Sequence, residues 1–309
     1  MGWARAGRLI APLAIAAVLA AGCAPGRVAA SPARADAAAV PQRLAIHDAD
    51  LPWLASAPDV RTRRFDSAAL HRSMPYLVYL PPGYEGSARR YPVLYLLHGM
   101  GGSSDEWRSF GVFDVTDRMI RAGEMAPLII VLPQGDQAYW VDHAGTDGEL
   151  WGTYTARDVV GDVDRTFRTA PDRGHRAIGG LSMGAHGAMQ LALNYPTTFG
   201  VVGAHSLVLR RFGSAPGYFG NSTDFAKRDP MQLVATKADV ARSLALWIDI
   251  GDRDEWAPLA NEFEGKLTGL GIAHQWHEWS GDHSASYWSA HLRDYLRFYD
   301  SALAVKAAP

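Results

Sequence analysis

"RAIGGLSMGAHGAM", residues 176–189, carries an apolar run into Gly-Leu-Ser-Met-Gly and then into a helix-like pattern. Ser182 stands at that change of period, with Gly180 and Gly184 two residues away on either side. This is the G-x-S-x-G pattern in the strand-turn-helix context it requires. A turn so sharp holds the serine in a strained backbone conformation while the glycines let neighbouring backbone pass, and Oγ projects from the strand end. The helix that follows aims its first amides at the same place, which makes the N–H of Met183 a candidate donor to a developing oxyanion. Small residues Gly187 and Ala188 extend the close packing expected behind such a turn.

Outward from this stretch the chain alternates two patterns. Strands are predicted at "YLVYLP" (residues 76–81), "PVLYLLHG" (92–99), "PLIIVLPQG" (127–135), "RAIGGLS" (176–182), "VVGAHS" (201–206), "LALWIDIG" (244–251) and "IAHQWHEW" (272–279). Helices are predicted over residues 112–122, 157–169, 183–194, 258–270 and 287–302, with Pro196 and Gly271 as terminators. Several strands are apolar almost throughout, as in a sheet covered on both faces. The alternation implies an α/β fold with a mostly parallel, doubly wound sheet flanked by helices, and ligands then bind at the carboxyl ends of the strands.

A serine hydroxyl is a weak nucleophile at neutral pH and needs a histidine base oriented by a carboxylate. Two post-strand segments follow Ser182: "IDIGDRDEW" and then "SGDHSASYW". His283 sits in the second, in a Gly-containing loop, whereas His274, His277 and His291 lie within strand or helix patterns; His283 is the expected base. Asp249 lies inside its strand, and Asp252 and Asp254 both lie just past its end, where a carboxylate can reach an imidazole. The Gly-rich "LLHGMGGSSDEW", residues 96–107, follows an earlier strand and offers the Met100 N–H as a second oxyanion donor, with His98 orienting the loop.

These segments together give the chain a resemblance to the esterase D-like branch of the α/β-hydrolases. That branch includes feruloyl and acetylxylan esterases, S-formylglutathione hydrolases and secreted mycolyltransferases. The matching pieces are "YLPPGY", "YPVLYLLHGMGGSSDEW", "RAIGGLSMGAHGAMQLALNYPTTFG", "GDRD" and "GDHSASYWSAHLRDYLRFY", across residues 70–299. By that resemblance the triad is Ser182, Asp254 and His283, since the family's aspartate falls three residues after a glycine that here is Gly251. The implied reaction is two-step acyl transfer through an acyl-enzyme, with no metal and no organic cofactor. Ala185-His186 and His205-Ser206-Leu207 depart from the family pattern and bear on pocket shape. "QGDQAYWVDHAGTDGELWGTY", residues 134–154, places Tyr139, Trp140 and Trp151 near the expected cleft, where they either line an acyl or sugar pocket or pack under the loop as local core. Residues 207–233 are short for a lid, so an open cleft is expected.

The chain's termini and composition frame this reading. Arg5 and Arg8 precede an apolar run over residues 9–21 that is short for a bilayer span, and Ala20-Ala21-Gly22-Cys23 resembles a bacterial lipobox. Residues 1–22 therefore read as a lipoprotein signal, Cys23 as the lipidated residue, 23–40 as an Ala/Pro-rich tether and 41–309 as the catalytic domain; an ordinary signal cleaved after residue 35 is the alternative. The protein would be exported and held at the cell membrane by its lipid alone, or freely secreted. Removing Arg5 and Arg8 takes the formal charge from −2 to −4, and no basic run marks a nucleic-acid surface. One cysteine excludes an internal disulfide, and "HDAD" at residues 47–50 fits no metal-ligand spacing.

The leading function is an ester hydrolase acting on small-molecule or carbohydrate-linked esters. An acyltransferase that passes the acyl group to a sugar hydroxyl shares the same machinery, and a surface binding protein with a relict triad is the non-enzymatic alternative.

Overall fold

The computed structural model describes residues 57–145 and 148–306. The signal and tether segments, Cys23 among them, lie outside the described residues, as do the first residues of the expected catalytic domain. Within the described residues, eight strands form one sheet in the order β1-β2-β4-β3-β5-β6-β7-β8. β1 (Asp59–Ser67) and β2 (Arg72–Leu80) pair antiparallel, and β2 pairs antiparallel with β4 (Ile129–Pro133). From β4 onward every pairing is parallel, through β3 (Val93–Leu97), β5 (Arg176–Leu181), β6 (Val201–His205), β7 (Ala245–Gly251) and β8 (Gln275–Trp279).

Alternation at period two sends successive side chains into two cores. Val93, Tyr95 and Leu97 of β3 face one core with Ile129 and Val131 of β4. Leu94 and Leu96 face the other with Ile130 and Leu132. The helix Met183–Asn194 packs on the first face, and the helices Val112–Arg121 and Leu292–Lys306 cover the second. Burial on both faces explains why these strands read as continuous apolar runs.

β1 escapes a hydrophobicity reading because Asp59, Arg61, Arg63, Arg64 and Asp66 interrupt it, and only Phe65 and Ser67 are buried. Its charged edge also discourages pairing with another chain. The helix expected over 157–169 starts earlier, at Trp151, and passes through a π-helical stretch at Tyr154–Val159 before ending at Thr166. The last expected helix is two, Ala285–Ala290 and Leu292–Lys306, broken at His291. Between β6 and β7 the chain forms short helices at Ser222–Ala226, Pro230–Thr236 and Ala238–Arg242. Leu207, Val208, Phe219, Phe225 and Leu233 anchor that segment in the core, so it caps the body and does not stand over the sheet as a lid.

The strand order fixes where chemistry can occur. From β3 the chain moves outward to β4, then crosses back to β5 on β3's other side, so the loops leaving β3 and β5 diverge and open a crevice at their carboxyl ends. Those loops carry Gly99-Met100 and Ser182.

Candidate active site

Ser182 ends β5 with φ 57° and ψ −118°, a left-handed conformation that a residue with a Cβ adopts at a cost of about 1–3 kcal/mol. Its surroundings hold it there. The Ser182 N–H donates to the His205 carbonyl at 2.9 Å, and its own carbonyl accepts from Ala185 at 3.1 Å. The flanking glycines are demanded by close approach: a Cβ on Gly180 would lie 2.3 Å from the Gly184 carbonyl carbon, and one on Gly184 would lie 2.3 Å from the Leu97 oxygen. β5, the helix after it and the end of β3 thus meet backbone to backbone around the serine.

Two later loops bring His283 and Asp254 to Ser182. His283 Nε2 lies 2.9 Å from Ser182 Oγ, and Nδ1 lies 2.8 Å from Asp254 Oδ2. Asp254 is only 4% exposed, and its Oδ1 accepts the Trp256 N–H at 2.9 Å, so both oxygens are engaged and the carboxylate cannot swing away. The imidazole ring meets Trp288 edge to face at 5.1 Å, and the Trp288 indole N–H donates to Ser206 Oγ. Ser284 caps the helix that begins directly after His283 by accepting from the Tyr287 N–H.

The acid and histidine loops are stitched together as well. Asp252 Oδ1 accepts the Gly281 N–H at 2.9 Å, and the Arg253 N–H donates to the Gly281 carbonyl. Asp252 thus braces the two loops, and Asp254 alone of the three aspartates contacts His283. Asp249 stays in the sheet, fully buried. It accepts from the Trp247 indole and the Tyr287 and Tyr295 hydroxyls, and it pairs with His205 Nδ1 at 2.6 Å.

The β3 loop lies against the serine: a Cβ on Gly99 would sit 3.4 Å from Ser182 Cβ. The Met100 N–H has no acceptor among the described residues, and the Met183 N–H begins a helix whose first amides lack intrahelical partners. His98 ties this loop to the β4 loop. Its Nε2 accepts the Gly135 N–H at 3.0 Å, which leaves Nδ1 as the protonated nitrogen donating to the Gly99 carbonyl. Burial lowers the His98 pKa, in keeping with a neutral ring.

Glu106 is a member of this site that the sequence reading passed over. Its Oε2 accepts the Gly99 N–H at 2.7 Å, and its neighbour Trp107 donates its indole N–H to the Leu97 carbonyl at 3.0 Å. No local pattern marks it: Glu106 opens the short helix Glu106–Ser109 with Asp105 at its N-cap, and its partner Gly99 lies outside that turn.

Of the two readings of Tyr139, Trp140 and Trp151, burial favours local core under the loop. Each is 1% exposed, so none presents a ring face to a ligand. The Tyr139 hydroxyl accepts from Arg210, the Trp140 indole donates to the His98 carbonyl, and the Trp151 indole donates to Glu149. Large rings under a loop bury more apolar surface than a cleft wall would, and these support the β4 loop from beneath. Met100 on the β3 loop, Leu150 on the β4 loop and Phe212 after β6 are the exposed large apolar side chains among the described residues, at 43%, 38% and 52%. Among the described residues, no cluster of His, Cys, Asp and Glu is arranged to hold a metal ion.

A doubly wound sheet of this order, with a serine at the strained turn after its central strand and histidine and aspartate on later strand-end loops, defines an α/β-hydrolase. The chain belongs to the esterase family: the family model described as "Putative esterase" matches residues 67–299. It is similar to Esterase Rv1288 of Mycobacterium tuberculosis, at 29% identity over 253 residues, 71% of this chain and 54% of that protein. A further relative is the Endo-1,4-beta-xylanase/feruloyl esterase of Xylanibacter ruminicola, at 34% identity over 139 residues, 41% of this chain and 18% of that protein. The chain thus spans about half the length of the first of these curated relatives, and less of the second.

Among solved structures, a ferulic acid esterase superposes with a TM-score of 0.71 at 28% identity, over 79% of this chain and 98% of that one. An S-formylglutathione hydrolase from Agrobacterium tumefaciens superposes with a TM-score of 0.69 at 21% identity, over 80% and 97% of the two chains, a likeness of fold alone.

Proposed function

We propose that this protein is a serine carboxylic-ester hydrolase in which Ser182 is the nucleophile, His283 the general base and acid, and Asp254 the residue that orients and charges the imidazole. The observation that carries the reading is the continuous hydrogen-bonded path from Ser182 Oγ through His283 to Asp254. His283 takes the Oγ proton as Oγ attacks the ester carbonyl, and Asp254 stabilises the imidazolium. The Met100 and Met183 amides receive the negative charge on the tetrahedral oxygen. Collapse expels the alcohol, which takes the proton back from His283. Water, deprotonated by the same imidazole, then attacks the acyl carbon, and the imidazolium returns that proton to Ser182 Oγ as the acid leaves.

The substrates we favour are esters of short or aryl acids, since feruloyl esterases are among the proteins this chain resembles and the segment after β6 is packed down as a cap. Export and a lipid anchor at Cys23 belong to the same proposal and rest on the sequence alone.

The test is a panel of p-nitrophenyl esters of increasing acyl length and methyl ferulate, with and without a sugar acceptor. Hydrolysis is expected, and Ser182→Ala should lose at least about a thousandfold in turnover while staying folded. Acyl-sugar product exceeding free acid would replace the hydrolase reading by an acyltransferase, and near-normal hydrolysis by Ser182→Ala would overturn both.

A further inference from the structure

Glu106 is a half-buried carboxylate that makes no ion pair among the described residues, the charge nearest to it being that of His283 when protonated, and a carboxylate so placed costs folding energy. Burial pushes its carboxyl above the usual carboxylate range, and the hydrogen bond from Gly99 and the attraction of His283 only partly offset this. Capping does not account for the side chain, because its oxygen turns away from its own helical turn and accepts an N–H seven residues upstream. The loop also wraps the carboxylate closely. A Cβ on Gly102 would come within 2.7–2.9 Å of its three terminal atoms, while one on Gly99 would lie 3.6 Å from Oε2. The adjacent indole of Trp107 fixes the Leu97 carbonyl two residues before Gly99.

Consecutive side chains therefore hold the backbone on both sides of His98, one through a carbonyl and one through an N–H. With the Gly99 N–H held by Glu106 and the Gly99 carbonyl by His98 Nδ1, the peptide that carries the Met100 N–H has little freedom to rotate. An oxyanion donor contributes only if it is aligned before the charge appears, since reorientation during the reaction would consume its stabilisation.

We propose that Glu106 is a positioning residue that acts through the Gly99 N–H to aim the Met100 amide at the oxyanion, its role being that of a hydrogen-bond acceptor at a fixed reach. This rests on the function proposed above. Three variants separate reach from charge. Glu106→Gln keeps an oxygen at the same distance and loses the charge; Glu106→Asp keeps the charge and falls short by one methylene; Glu106→Ala loses both.

Steady-state hydrolysis of p-nitrophenyl acetate, affinity for a boronic acid that mimics the tetrahedral intermediate, and thermal melting would be measured for each. We expect Glu106→Gln to stay within about fivefold of the parent in kcat, and Glu106→Asp and Glu106→Ala to lose about 10- to 100-fold, less than the roughly hundred- to thousandfold cost of removing an oxyanion donor outright because the amide is misaligned and not deleted. KM should stay within about threefold, and boronate affinity should fall with kcat, because the lost contact exists only in the charged state.

Glu106→Asp matching or exceeding Glu106→Gln would overturn the proposal, as would losses appearing in KM or in melting temperature with boronate affinity kept. Should Glu106→Ala fail to fold, the order of the Gln and Asp variants still decides. An inactive parent would instead refute the ester-hydrolase reading.

Discussion

Replacing Asp254 by Asn tests the relay at its least forgiving point. The substitution conserves volume, and the Asn carbonyl oxygen can keep the 2.9 Å bond from the Trp256 N–H, so the loop should survive. The amide then turns its NH2 toward His283 Nδ1, where the carboxylate oxygen had been at 2.8 Å. Two donors cannot share that contact, so the ring adopts the tautomer with its proton on Nε2. Nε2 faces Ser182 Oγ at 2.9 Å, and once protonated it cannot take the hydroxyl proton. The neutral amide also cannot stabilise the imidazolium of the transition state.

We expect turnover to fall by roughly a hundredfold to ten-thousandfold, about 3–5.5 kcal/mol of barrier at 1.36 kcal/mol per decade. Asp252→Asn is the internal control: its carboxylate braces the Gly281 N–H and does not touch the imidazole, so an amide oxygen should hold the same bond and kcat should stay within about fivefold. The assay is p-nitrophenyl acetate hydrolysis and the rate of fluorophosphonate labelling of Ser182, with circular dichroism to check the fold. An Asp254→Asn variant within tenfold of the parent, or an Asp252→Asn variant that is the crippled one, would refute the assignment.

Acid stability should reveal two buried groups of opposite sign. Burial pushes His186 down to about 4 from an ordinary 6.5, so its contribution, present above pH 6.5, is lost as pH falls toward 4. Burial raises Asp229 to about 6 from 3.8, so its contribution is present below pH 3.8 and lost as pH rises through 6. Each shift corresponds to about 3 kcal/mol, and in the parent they offset; Asp229→Asn should therefore lose about 2–3 kcal/mol more than the parent between pH 7 and 4 in urea titrations. Parallel pH profiles for the two proteins would contradict this.

Gly184→Ala places a methyl against the carbonyls of Leu97 and His98, neither able to yield, and should lower the melting temperature by roughly 10 °C or prevent soluble expression; an unchanged melt would show that the β5 turn relaxes. Cys23→Ser should move the full-length protein from the membrane fraction to the medium or leave an uncleaved precursor, and complete release of the unsubstituted protein would remove the lipid anchor from the proposal.

Local pattern made much of this protein legible. Strands buried on both faces cannot hide among polar residues, so β3 to β7 stand out as apolar runs, and the glycines around Ser182 announce a turn that only close backbone contact requires. Position after β7 and β8 was enough to single out His283 and to narrow the acid to Asp252 or Asp254, because loops at strand ends are short and limit how far a side chain can reach; the choice of Asp254 came from the resemblance to the esterase D-like branch.

Other features depended on contacts between distant segments. β1 is charged along its exposed edge and becomes a strand only by pairing with β2 along its whole length. Tyr139, Trp140 and Trp151 have the residue types of a binding pocket, and what separates a cleft wall from a buried prop is which face the neighbouring chain covers. Glu106 looks like an ordinary surface acid in the sequence, and Asp252 like a rival to Asp254. Each acquires its role from one backbone N–H in another stretch of chain, Gly99 for the first and Gly281 for the second. Residue type and spacing record what a segment can do by itself, whereas burial and hydrogen-bond partners are properties of pairs of segments, and those pairs exist only once the sheet has brought β3, β5, β7 and β8 together at one end.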